Sequence, residues 1–156
     1  MIRIGRYLPW IEAVFVVILV VGSFLFYQNL EARLLVLSLL GLTVTYVVSA
    51  YKPIEIISNG DEKFGMNELL AWTILPKVCW ISCGISTLGG LVFFINSGND
   101  SYKNMLFIGA LTLGSALLIV VYLIVSGVKH IKVLNPVLFR VIPILSADCY
   151  LLAELS

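Results

Sequence analysis

Pro76–Asn96 reads PKVCWISCGISTLGGLVFFIN, uncharged after Lys77, with small residues at four-residue intervals along one face. Ser82, Ser86 and Gly90 make one ladder, and Cys79, Cys83 and Thr87 run beside it. Helical positions four apart lie one above another, so the two ladders form a smooth strip. In a bilayer, lipid tails are as apolar as leucine. Helices therefore associate through close van der Waals approach, which small side chains permit. This stretch is expected to be a transmembrane helix whose strip receives a neighbour. Gly41, Thr45 and Ser49 repeat the spacing in the preceding apolar run and offer a matching face.

Composition supports the membrane reading. The chain has 156 residues, 60% of them hydrophobic and only 12% charged, and its mean hydropathy is +1.04, far from the soluble average. Crossing roughly 30 Å of hydrocarbon takes about 20 helical residues. Four runs meet that length, at about 10–30, 34–51, 76–97 and 104–128. The expected architecture is an all-α four-transmembrane-helix bundle forming a single membrane domain over 1–156. A loop at 52–75 and an interfacial amphipathic segment at 131–156 complete it.

Charge distribution orients the bundle. With the N-terminus inside, Arg3, Arg6, Lys52, Lys63, Lys77, Lys129, Lys132 and Arg140 lie on the cytoplasmic side, against Arg33 and Lys103 outside. Short-loop Lys and Arg favour the cytoplasm, so both termini are expected there. The signal-free start fits a prokaryotic inner membrane, since the first apolar run lacks a cleavage site. A net charge of +1 gives no case for nucleic-acid binding, which needs a concentrated basic patch.

Within the 52–75 loop, Ile54–Ile57 and Glu62–Phe64 flank an Asn59-Gly60 turn and could pair as a short ribbon. Asn67 can cap a short amphipathic helix over 68–75, with Trp72 at the interface and Pro76 opening the next span. Ser97–Asn104 has turn chemistry. The final region carries Pro136, Arg140, Pro143 and Asp148 among apolar residues. As a fifth span, 137–155 would place two charges in hydrocarbon and a proline in mid-helix, so an interfacial placement is expected.

A duplication also deserves notice. At an offset of 67 residues, Leu8-Pro9, Gly22, Phe26 and Asn29 meet Leu75-Pro76, Gly89, Phe93 and Asn96. Two helical hairpins related this way would be parallel repeats.

Few residues carry chemistry. Glu12 is a carboxylate inside an apolar run, a functional candidate by default, and Lys77 enters from the same side as its candidate partner in an ion or gate pair. The plainer alternative is that both reach the headgroups. Cys79 and Cys83 supply half a tetrahedral metal site with no spacing signature for the rest, so helix packing explains them better. Lys129, His130, Lys132 and Arg140 form a modest basic cluster suited to anionic lipid headgroups. Neither a phosphate loop nor a nucleophile with an evident base is present, so no enzymatic activity and no cofactor is expected.

Two functions follow. The first is an accessory, assembly or scaffold subunit, working through helix packing as a homo-oligomer or within a larger membrane complex. The second is a small oligomeric transporter or channel using Glu12 as an ion- or proton-coupled site.

Overall fold

The computed structural model describes residues 4–28, 32–51, 65–95, 101–127 and 134–154. Among them the chain is all helix: α1 Ile4–Tyr27, α2 Arg33–Ala50, α3 Met66–Ile95, α4 Ser101–Val125 and α5 Asn135–Glu154. All five are long and apolar enough to cross a membrane. Five helices of spanning length thus stand where four were expected, and the fifth is the segment expected at the interface.

α5 is a continuous helix despite Pro143. Within a membrane protein, neighbouring groups and local adjustment can satisfy the backbone that a proline frees. Its other apparent penalty, Arg140, is met by a partner far away in sequence, described below. The expectation of two cytoplasmic ends rests on an even number of spans.

α3 also begins earlier than expected. Gly65 rather than Asn67 precedes its first turn, and the Glu68 carboxylate accepts the Gly65 N–H at 3.2 Å, half of a capping box. The helix then continues through Pro76 instead of restarting there. Leu70–Ile74 forms a π turn in which the Leu75 N–H reaches back to the Leu70 carbonyl. Pro76 offers no N–H to the turn before it, and the wider turn takes up the mismatch. The ribbon expected around Asn59-Gly60 lies outside the described residues, as do Lys129, His130 and Lys132. Ser101–Asn104, read as loop, instead forms the first turn of α4.

α3 is the central element: 50% of its apolar window is buried, against 17% for both α1 and α5. It packs against α2, α4 and α5, whereas α1 packs chiefly on α2. The core joins Leu42 and Tyr46 of α2, Cys79 and Cys83 of α3, and Leu113 and Leu123 of α4. Trp10, Val17 and Phe24 of α1 face outward, as expected of a lipid-exposed helix.

The strip on α3 is used as a packing surface, and its neighbours belong to the same chain. Thr87 on α3 and Thr43 on α2 bring their hydroxyls within 3.0 Å. A Cβ on Gly89 would stand 3.1 Å from Met105 of α4, and one on Gly84 would stand 3.2 Å from Val47 of α2. Gly41 does not face α3 as expected. It receives the Phe15 ring of α1, which occupies the space of a side chain at that position. Thr45 and Ser49 donate to carbonyls of their own helix, Thr45 to Gly41 at 2.7 Å and Ser49 to Thr45 at 2.8 Å.

Candidate functional site

α1 and α5 are not packed along their lengths. Between them lies a cavity of about 460 Å³, floored by side chains of α2, α3 and α4. Pro9, Glu12, Ala13, Val16 and Leu19 form one wall, and Arg140, Pro143, Ile144, Ala147 and Asp148 form the other. Leu39, Leu42, Leu106 and Gly90 make an apolar floor interrupted by Ser86 and Thr87. Phe139 and Ala147 stand exposed at the rim, so the cavity opens sideways towards the lipid.

One edge is closed by an ion pair. Arg140 Nη2 donates to Glu12 Oε2 at 2.6 Å, and Nε donates to Oε1 of the same carboxylate, making a two-point bridge between α1 and α5. Planar guanidinium matches a carboxylate in this way, which gives fixed geometry as well as energy. Arg140 Nη1 also donates to the Pro136 carbonyl, and the guanidinium carbon lies 5.3 Å from the centre of the Trp80 ring. Trp80 in turn packs on Tyr46 at 5.7 Å, and Tyr46 is close enough to Glu12 to interact with it. One charged pair thus ties together α1, α2, α3 and α5.

Asp148 lies eight residues further along α5, about 12 Å at helical rise. It is only 3% exposed, and its Oδ2 has no hydrogen-bond partner among the described residues. Ser86 approaches the carboxyl from mid-α3, but its Oγ also lacks a partner in hydrogen-bond geometry. The Ser86 hydroxyl touches α4 instead, at Gly109, where a Cβ would fall 2.1 Å from Oγ. Thr87 is differently placed, since its hydroxyl is occupied by the Cys83 carbonyl at 2.9 Å.

Several expected sites are relocated. Lys77 is exposed and does not meet Glu12, whose partner is Arg140. Position along the helix decides this: Lys77 opens the apolar part of α3 and can extend to the headgroups, whereas Arg140 lies deeper, opposite Glu12. Arg140 is accordingly committed to the protein rather than to lipid headgroups, and it does not pair with Asp148. Cys79 and Cys83 are buried in the core, and no cluster of three metal-ligating side chains occurs among the described residues.

Asp148 as a cavity carboxylate escaped the sequence reading. The signal for it in the sequence is an acidic residue inside an apolar run long enough to span. Comparison with protein-family models, curated proteins and solved structures gives no match.

Proposed function

We propose that the protein is a small membrane transporter or channel, with the cavity between α1 and α5 as its solute pathway and the Glu12–Arg140 bridge as its gate. The observation that carries this reading is a half-open cavity among helices of spanning length, containing an ion pair at one edge and an unpartnered buried carboxylate. Ionisable groups at such depth are costly and mark solute, ion or proton paths in membrane proteins.

The gate follows from the packing. α1 is bound to α2 and α5 to α3 and α4, so the bridge is the principal link across the cavity mouth. Parting it would let the two walls separate without disturbing the α2–α3–α4 core. A solute or proton that competes for Glu12 or Arg140 biases that two-state element.

The positive-inside balance keeps the N-terminus in the cytoplasm, and five spans then put the C-terminus outside. A prokaryotic inner membrane remains the proposed location. The matching positions of Gly22 and Gly89, each at the close approach of its own hairpin, support α1–α2 and α3–α4 as parallel repeats. The alternative role as an accessory subunit finds less support, because α2 and α4 of the same chain pack on much of the α3 strip and Ser86 and Gly90 line the cavity.

The test is reconstitution into liposomes loaded with a pH-sensitive dye, under an imposed pH gradient, with potassium, sodium or organic ammonium salts outside. Protein-dependent movement of proton or cation, lost in Glu12→Gln while the variant stays monodisperse, is the expected result. No protein-dependent movement with any of these solutes rejects the reading. A second protein retained in fixed ratio after gentle extraction would return the chain to an accessory role.

A further inference from the structure

We infer that the cavity binds a small organic ammonium ion, with its N–H groups on the Asp148 carboxylate and the Ser86 hydroxyl and its apolar part against Leu39, Leu106 and Ile144. This names a solute class for the proposed pathway and rests on that reading for its consequence, transport, though binding can be measured separately.

The chemistry of the lining selects the ligand. Asp148 is almost wholly buried, it lines the cavity, and one of its oxygens has no partner. Ser86, on the α3 floor beside that carboxyl, adds a hydroxyl oxygen with no partner in hydrogen-bond geometry among the described residues. A cationic N–H donor satisfies both and neutralises a charge that hydrocarbon otherwise penalises.

Inorganic cations fit less well. Calcium takes about six to eight oxygens, whereas the Thr87 hydroxyl is bonded to its own helix and the Glu12 carboxylate is held by Arg140. Among the described residues anions find no free cation in the cavity lining, since Arg140 is bound by Glu12 and by the Pro136 carbonyl. A partner's transmembrane helix is too large: about 460 Å³ matches roughly one turn of a helix about 10 Å across. What remains is an apolar chamber with one unsatisfied acidic end, the usual form of a small-molecule site.

Dansylcadaverine, a primary ammonium carrying an environment-sensitive fluorophore, is a suitable probe for the full chain in zwitterionic nanodiscs. Saturable binding above empty nanodiscs is expected, competed by octylammonium but not by octanol or sodium. Asp148→Asn, nearly the same in shape, should weaken binding by about tenfold or more, and Ser86→Ala should weaken it by less. Both variants are first checked for wild-type thermal stability. Should Asp148→Asn be misfolded, the octylammonium–octanol comparison on the wild type decides alone.

Absence of saturable binding overturns the inference. So does equal competition by octanol, which would mean an apolar or lipid site, or displacement by sodium, which would mean an inorganic-ion site. Unchanged affinity in a folded Asp148→Asn does the same. Ammonium binding without any flux in liposomes sinks the transport reading and leaves the site standing. Flux of another solute without ammonium binding sinks the site alone.

Discussion

Replacing Arg140 with methionine removes the cation but keeps much of the side chain's length, leaving Glu12 in the cavity wall without its bridge. Glu12 and Arg140 have side-chain exposures of only 10% and 23%, so solvent screens the pair weakly. Breaking a buried pair by deleting one partner typically costs about 3–5 kcal/mol, mostly the uncompensated charge left behind. Loss of the Trp80 contact adds about 0.5–2 kcal/mol. Arg140→Met should therefore destabilise by about 3.5–7 kcal/mol, and Glu12→Gln by less, because the guanidinium keeps the Pro136 carbonyl and the Trp80 face. The double variant should recover much of the loss, since no buried charge remains. Reversible unfolding in mixed micelles, read for the wild type, both single variants and the double, gives a coupling energy directly. A coupling above about 2 kcal/mol is expected. Additivity within about 0.5 kcal/mol would refute the bridge, and with it the gate.

Gly41→Ala should cost about 1–3 kcal/mol, because the new methyl would fall 2.3 Å from the Phe15 ring; Phe15→Leu should rescue it in the same unfolding measurement. Thr43→Val and Thr87→Val should each cost about 0.6 kcal/mol and at most about 1.7, the range for interhelical hydrogen bonds in a membrane, with little further loss when combined. Gly90→Leu should leave the fold intact, since a Cβ there meets Leu39 only at 3.9 Å. Its side chain would instead fill the cavity that Gly90 lines, so dansylcadaverine binding should disappear while the melting temperature holds.

Much of the architecture was legible one stretch at a time. Membrane helices declare themselves through length and apolar composition, because hydrocarbon requires every backbone group to be satisfied within its own segment. The small-residue strip on α3 was readable for the same reason, since four-residue spacing is a property of one helix. Its partners were not readable: Gly41 was paired with the wrong neighbour because spacing says which residues share a face and not which helix covers it.

The fifth helix and the cavity were decided by tertiary structure. Judged locally, Arg140, Pro143 and Asp148 argue against crossing a membrane, because the groups that offset their cost lie on other helices. The carboxylate that neutralises Arg140 is Glu12, 128 positions away in the chain. Asp148 becomes a site only because Ser86 of α3 and the open side of α1 leave a chamber beside it. Helix formation in lipid is settled within a segment, so the sequence alone determined it. The pairing of charges depends on which segments come to lie side by side, and only the assembled bundle determines that.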